Sequence, residues 1–410
     1  MVCAARAGGG STLRNIDLWG EDVAATLSCL AALGLEYSAS ENQIHILRGI
    51  GGLKQKKYVS TPIVLDCAES GSTLRFLLPL ALLSGHTIEM RGRGRLMKRP
   101  IDAYAKAIGE NGGRIRQEEG RIRLGGTLSP GTYRLPEDIS SQYVSGLLMA
   151  LPLLEGDSEI ILTSPLESIP YVDLSIDVMK QFGVHVKTNG SDSYLVPGRQ
   201  RYVPGCYEIE GDYSAAAFFL VAGAIGYPVV CKGLRTDSLQ GDRRIVDIIK
   251  QCGGEVIERE GGGLAALPGK PTPAVIDVRD IPDLVPPIAV LLSFCPGESR
   301  IIGAKRLRFK ESDRLHSVTQ QLNRIGARII EEEDALVICG VASMKGGIID
   351  PQNDHRIAMA AAIAALRCEK KVRVLDADCV NKSYPKFWDD FSVIEGADNA
   401  EPVRGKGGKE

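Results

Sequence analysis

Five stretches of the chain read alike, and their shared pattern limits the fold more than any other feature. They are VAATLSCLAALGLEYSASENQIHILRG at 23–49, IDAYAKAIGENGGRIRQEEGRIRLGG at 101–126, VDLSIDVMKQFGVHVKTNGSDSYLVPG at 172–198, RIVDIIKQCGGEVIEREGGGLAALPG at 244–269 and LHSVTQQLNRIGARIIEEEDALVICG at 315–340. In each, apolar residues recur at helical spacing and stop at a Gly suited to a left-handed helix cap. Two short alternating stretches around a polar turn follow, the mark of a β-hairpin. Between them lies a second kind of helix, apolar nearly all round and therefore buried. GSTLRFLLPLALLSG, SSQYVSGLLMALPLL, DYSAAAFFLVAGAIG, DLVPPIAVLLSFCPG and DHRIAMAAAIAALRC are of this kind. Each leads into a β-rich run such as HTIEMRGRG, YPVVCKG or KVRVLDA. The unit is buried helix, strand, exposed helix, hairpin, with a period of about 60 to 70 residues. Six units can be counted, three on each side of a polar, turn-rich break at 199–207 (RQRYVPGCY).

This pattern predicts an α/β (α+β) fold of two similar domains, 1–207 and 208–396, with a cleft between them. The polar stretch 397–410 is expected to be a disordered tail. The first unit opens inside its buried helix, and the sixth ends near 386–394 (KFWDDFSVI) before any hairpin. Internal symmetry therefore leads us to expect that the first and last units are incomplete, and that a strand or hairpin and a helix start are missing ahead of Met1.

Composition narrows the function classes. A net charge of −2 argues against a general nucleic-acid binder. No apolar run reaches the roughly 18 residues of a membrane span, and no signal peptide opens the chain. The ten cysteines form no CxxC pair and do not cluster with the five histidines. That speaks against zinc and a disulfide framework, and for free thiols in a reducing cytoplasm. The expectation from composition is a cytoplasmic protein without a zinc site.

Candidate functional residues gather where the buried helices start, because free N–H groups and the helix dipole attract anions there. Glu69, Ser70, Gly71, Ser72 and Thr73 open one such helix, and Asp138, Ile139, Ser140, Ser141 and Gln142 another. Glu210 to Ser214, Asp280 to Asp283 and Asn353 to Arg356 open the rest. Ser, Asp and Asn at such positions are ordinary caps. Arg75 and Arg356, one turn inside apolar helices, are not, since a buried guanidinium needs a carboxylate or phosphate partner. LRFKESDRL at 307–315 places Lys310, Glu311 and Arg314 at helical spacing, so a helix would set two cations on one face around an anion. With Arg95, Arg99 and Lys382 these cations suit a multiply anionic substrate. Asp283 and Glu311 are the best carboxylates for proton transfer. His355 reads equally well as structural or catalytic.

These motifs resemble the enolpyruvyl transferases, in particular the branch that acts on shikimate 3-phosphate. The matching stretches are SGSTLR, GRLMKRPI, SSQYVSGLLMALPLL, SIPYVD, EGDYSAA, IPDL, RFKESDRL, NDHRIAM and NKSYPKF, in the family's order from Cys67 to Trp388. The resemblance implies two domains of three βαβαββ units closing around the substrates. It implies transfer of the enolpyruvyl group of phosphoenolpyruvate to the 5-hydroxyl of shikimate 3-phosphate, with release of phosphate, by metal-free addition and elimination. It also implies a monomer acting on small molecules, with no metal and no cofactor. Ser140, Ser141, Gln142, Ser168, Tyr171, Asp283 and Lys310 would then hold shikimate 3-phosphate. Gly71, Arg95, Gln142, Arg314, Arg356 and Lys382 would hold phosphoenolpyruvate, with Arg75 supporting the turn at Gly71. Asp283 would act on the 5-hydroxyl and Glu311 in proton transfer to the methylene carbon, the division between them being open.

Two departures stand out. Glu69 and Ser70 replace the family's usual Asn-Ala, which bears on affinity for phosphoenolpyruvate and for the family's inhibitor, glyphosate. The family's N-terminal Lys-Ser…Arg motif has no counterpart. The alternatives are a non-catalytic anion-binding form of the same fold, and the sister branch that acts on UDP-N-acetylglucosamine, whose loop Cys is absent from 92–99.

Overall fold

A computed structural model of the chain describes residues 1–50, 62–136, 140–163, 168–190, 192–259 and 262–404. Asp138 and Ile139 of the polar helix heads lie outside the described residues. The polypeptide divides into two compact units, Met1–Ile209 and Glu210–Glu410.

Unit 1 repeats one sheet topology. Ile63–Asp66 runs parallel to Ile88–Arg91, which pairs antiparallel with Arg121–Gly126, one arm of a hairpin whose other arm is Gly113–Glu118. Thr132–Leu135, Ser158–Leu162, Ser193–Val196 and Lys187–Asn189 follow the same order. In the first sheet, Ser11–Arg14 carries the hairpin of Glu36–Ser40 and Gln43–Arg48, and its other edge is filled in parallel by Cys206–Glu208. Those residues overlap the end of the polar break, and the compact units divide after Ile209, within two residues of it.

Unit 2 shows the same order in Val275–Asp277, Glu298–Ile302, Ala335–Cys339 and Ile329–Glu331. Val230–Cys231, Leu264–Leu267 and Glu255–Glu258 form a three-stranded version. The last sheet is parallel throughout: Gly347–Ile349, Val372–Val374, Ala400–Pro402. Here the sequence expectation of a disordered 397–410 needs correcting, since part of that stretch is a strand. Ala400–Pro402 pairs with the side of Val372–Val374 that Gly347–Ile349 leaves open. Val403 N–H donates to Val374 O at 2.8 Å, and Val403 O accepts from Ala377 N–H at 3.0 Å. Backbone pairing thus orders a stretch of polar composition. Residues 405–410 lie outside the described residues.

The two predicted helix types are both present. Gly71–Leu82, Ser141–Ala150, Tyr213–Ala224, Val285–Ser293 and His355–Ala365 are the buried ones. Glu21–Ala32, Asp102–Gly109, Ile169–Gln181, Ile245–Gln251, Arg314–Arg324 and Phe387–Ser392 cover the sheets. Each unit has its own core, built around Leu77, Leu147 and Ile160 in one and around Phe218, Ile288 and Ala361 in the other. Two buried helices of unit 1 meet at backbone distance, because a Cβ on Gly146 would stand 2.4 Å from Arg75 O. Only glycine permits that approach, and the approach fixes where Arg75 projects. Among the described residues, no helix is long and apolar enough to cross a membrane.

Candidate active site

In unit 2 the stretch around Glu311 takes a different form from the expected helix. A 3-10 turn covers Lys305–Phe309, Lys310 is extended, and the α-helix begins only at Arg314. Asp313 sets that start, since its side chain accepts the His316 N–H at 3.2 Å and so ends helical pairing on its N-terminal side. Lys310, Glu311 and Arg314 therefore share no helical face. The turn brings them together instead, and the anion among them is the protein's own.

Asp283 sits in the 3-10 turn Pro282–Leu284 that feeds the buried helix Val285–Ser293. Its Oδ1 accepts from Lys310 Nζ at 3.0 Å and from Arg314 Nη1 at 2.7 Å, and its Oδ2 faces Arg356 Nη2 at 3.6 Å. Burial alone would raise this carboxyl; Arg356, then Lys310 and Arg314, overrule it and hold the group well below the usual carboxylate range. Glu311 lies between Arg314 and a fourth cation, Lys382. Its Oε1 accepts from Lys382 Nζ at 2.9 Å and its Oε2 from Arg314 Nη2 at 2.6 Å.

Arg314 is 1% exposed. Besides Asp283 and Glu311 it bonds Asp354, from Nε at 2.9 Å and from Nη2 at 3.3 Å. Burial lowers a guanidinium's pKa, but these three carboxylates raise that of Arg314 above its ordinary value. Asp354 caps the helix His355–Ala365 by accepting Arg356 N–H at 3.1 Å, and it also accepts from Ser312 Oγ at 3.0 Å. The sequence reveals it as a cap but hides its partnership with Arg314. Four cations, Lys310, Arg314, Arg356 and Lys382, thus interleave with Asp283, Glu311 and Asp354. His355 is buried beside them, and burial together with Arg356 pushes its pKa down to about 3. Both effects disfavour the imidazolium form of His355.

Two further carboxyls of the same unit bear on this cluster, Asp212 as a helix cap and Asp242 as a buried group. Asp212 caps Tyr213–Ala224 through Ser214 N–H at 2.8 Å, and burial raises its pKa. Asp242 accepts from Ser214 Oγ, and burial followed by the Asp283 charge pushes it up to about 6. Nothing in the motif GDRR at 241–244 signals its burial, because Ser214 is distant in sequence.

Unit 1 gathers the other predicted residues. Arg75 is buried one turn into Gly71–Leu82 and donates from Nη1 to Gln142 Oε1 at 2.8 Å, with its guanidinium 5.0 Å from the Tyr143 ring centroid. A Cβ on Gly71 would stand 2.7 Å from Nη1 of both Arg75 and Arg99. Two guanidiniums therefore converge on bare backbone at a helix start, an arrangement that suits an anion. Ser140 caps Ser141–Ala150 by accepting Gln142 N–H at 3.4 Å. Ser168 precedes Ile169–Gln181 in the left-handed region, φ 63°, and its carbonyl accepts Tyr171 N–H at 3.2 Å. Such a conformation costs a non-glycine residue of order 1–3 kcal/mol and gathers at ligand sites. Arg95 is exposed at the head of the turn Leu96–Lys98, apart from the buried Arg75.

A duplicated βαβαββ architecture with cations and carboxylates at its buried helix starts defines the enolpyruvyl transferase fold. Within that class, the family description EPSP synthase (3-phosphoshikimate 1-carboxyvinyltransferase) matches residues 1–391, and the chain belongs to this family. It is 45% identical to the 3-phosphoshikimate 1-carboxyvinyltransferase of Clostridium kluyveri over 398 residues, 97% of this chain and 92% of that protein. A relative of the same name from Clostridium perfringens is 41% identical with the same coverage. Among solved structures, an EPSP synthase from Acinetobacter baumannii superposes with a TM-score of 0.75 at 26% identity, covering 95% of this chain and 91% of that one.

Proposed function

We propose that the chain transfers the enolpyruvyl group of phosphoenolpyruvate to the 5-hydroxyl of shikimate 3-phosphate and releases phosphate. Its family membership carries the reaction class, and the Asp283 environment is the observation that carries the mechanism. The hydroxyl must lose a proton as it adds to the enol carbon, and the methylene must gain one. Asp283 is ionised throughout the physiological range and accepts the 5-hydroxyl proton. While Arg356, Lys310 and Arg314 all hold it, it is a weak base. An anionic substrate that draws Arg356 and Lys310 to itself removes those counter-charges, so binding itself raises the basicity of Asp283.

Glu311 and Lys382, bonded to each other, handle the methylene proton. Arg314 is engaged by three carboxylates and chiefly positions Asp283 and Glu311, leaving Arg356, Lys382 and Arg95 to hold phosphoenolpyruvate. In unit 1, Gly71 and Gln142 are the residues that the family resemblance assigns to phosphoenolpyruvate, with Arg75 supporting the turn at Gly71. Ser140, Ser141, Ser168 and Tyr171 hold shikimate 3-phosphate through hydroxyl groups and helix-start N–H groups. We read the protein as a cytoplasmic monomer whose partners are these small molecules. Mixing the purified chain with both substrates, and following the enolpyruvyl product by NMR, tests the reaction. Product that requires both substrates supports it; consumption of phosphoenolpyruvate alone would contradict it.

A further inference from the structure

Lys310 and Glu311 lie on a stretch without regular structure, between the 3-10 turn Lys305–Phe309 and the helix that begins at Arg314. Such a stretch keeps its side chains in place only when residues outside it hold it. Arg308 does so from several sides. Its Nη1 donates to Asp313 Oδ2 at 3.2 Å, so one ion pair closes the loop 308–313 with Lys310 and Glu311 inside it. The same nitrogen donates to Glu331 Oε1 at 2.7 Å, at the end of strand Ile329–Glu331. Nη2 donates to Glu332 O at 2.9 Å and to Glu333 O at 3.1 Å, and Nε to Glu333 O at 3.2 Å. These carbonyls belong to the turn of the hairpin that Ile329–Glu331 makes with Ala335–Cys339. The turn also grips the chain ahead of Arg308, because Asp334 accepts Ala304 N–H on its carbonyl at 3.0 Å and Lys305 N–H on Oδ1 at 2.5 Å. The Arg308 side chain is 26% exposed and that of Glu331 21%, so water only partly screens the pair.

We propose that Arg308 is a positioning residue for enolpyruvyl transfer, fixing through Asp313 and the hairpin the loop that carries Lys310 and Glu311. This role rests on the assignment of Lys310 to shikimate 3-phosphate and of Glu311 to the methylene proton. Asp313 is the joint: its Oδ1 accepts His316 N–H at 3.2 Å and starts the helix, while its Oδ2 takes Arg308. Loop closure and helix start therefore share one carboxylate, and Arg314, the first residue of that helix, bonds both Asp283 and Glu311. Lys310 is held on Asp283 at 3.0 Å and Glu311 on Lys382 at 2.9 Å. Misplacing such groups by about 1 Å costs on the order of 10²-fold in rate. Lysine cannot replace Arg308, since a single ammonium does not serve the carboxylate at the loop's end, that on the strand and the turn carbonyls together.

The test compares Arg308→Ala, Arg308→Lys, Asp313→Asn and a control, Arg300→Ala, with the native chain. Arg300 pairs with Glu332 on the same hairpin, so its loss weakens the hairpin and spares the Arg308–Asp313 pair. Arg308→Ala should lower kcat by about 10- to 100-fold and raise KM for shikimate 3-phosphate through Lys310, with a smaller change for phosphoenolpyruvate. Arg308→Lys should regain only part of the loss. Asp313→Asn keeps a capping oxygen but not the ion pair, so it should repeat the fall in kcat, and it stands in if Arg308→Ala does not fold. Arg300→Ala should keep native kinetics even where its urea midpoint falls. Amide hydrogen exchange needs no turnover. Peptides covering 309–313 should exchange about tenfold faster in Arg308→Ala, as for loss of a charge-assisted hydrogen bond, with helix Val285–Ser293 unchanged. A native chain without turnover would contradict the assigned reaction, and exchange alone would then decide the role of Arg308. Native kcat in Arg308→Ala with only a lowered urea midpoint, an equal kcat loss in Arg300→Ala, or unchanged exchange over 309–313 would each overturn the proposal.

Discussion

Arg314 and Asp354, 40 residues apart in the chain, form a two-point ion pair inside unit 2, with Arg314 Nε 2.9 Å from Asp354 Oδ2 and Nη2 3.3 Å from Oδ1. Asp354 is fully buried, so the pair cannot dissolve into solvent when one member is lost. Arg314→Ala would leave Asp354, Asp283 and Glu311 facing one another without their shared cation. Breaking a buried pair in this way costs about 3–5 kcal/mol. The denaturant midpoint of unit 2 should fall accordingly. A loss no larger than that of an exposed pair such as Arg235–Asp237 would show that Arg314 is not the hub.

The pH dependence follows from the same groups. Asp283 and Asp354 are held below the ordinary carboxylate value, burial being outweighed by their cations. Their contribution is fully present above the unfolded value, about pH 4, and is lost as pH falls through the folded one. Denaturant midpoints taken from pH 6 down to 3 should decline, and Asp283→Asn should decline less steeply. Parallel curves would contradict the assignment.

Asp242 has the opposite sign. Its carboxyl is raised to about 6, so its contribution is full below the unfolded value and is lost as pH rises through the folded one. Asp242→Asn, which preserves the bond to Ser214 Oγ, should remove this loss between about pH 4 and 6. Unchanged pH dependence across that window would show that Asp242 is ionised in the folded chain.

The repeat was legible because it rests on local rules: helices apolar on all sides must be buried, and Gly-ended helices followed by alternating stretches make hairpins. The site was legible only in its residue types. RFKESDRL reads as a helix face by spacing, yet Asp313 starts the helix late, and a cap competes with helical periodicity at just such a boundary. Asp242 and the Asp354–Arg314 pair depend on contacts between distant segments, which no local pattern encodes. The strand Ala400–Pro402 was missed for a related reason: its partner is an open sheet edge, and backbone pairing is indifferent to polar side chains.

Gly71→Ala brings a methyl group 2.7 Å from two guanidinium nitrogens. Arg75 is buried and bonded to Gln142, so it has little room to yield, and overpacking of this kind costs about 1–3 kcal/mol. The KM for phosphoenolpyruvate should rise by about tenfold or more, with a smaller effect on kcat. An unchanged KM would remove Gly71 from that anion's site.

Ser168→Gly separates strain from binding. Glycine adopts φ near 63° without the penalty of about 1–2 kcal/mol carried by an L-residue. The variant should be at least as stable in urea, yet show a raised KM for shikimate 3-phosphate through loss of the hydroxyl. Unaltered kinetics would make the left-handed Ser168 a structural turn only.

Phosphate release from phosphoenolpyruvate plus shikimate 3-phosphate, measured for the native chain and for Asp283→Ala, tests the central claim most directly. The native chain should turn over with both substrates present, and the variant should lose about 10²–10⁴-fold in kcat with far smaller changes in KM, as expected for loss of a general base. A variant that turns over at the native rate would contradict the role of Asp283, and a native chain that releases no phosphate would contradict the assigned reaction.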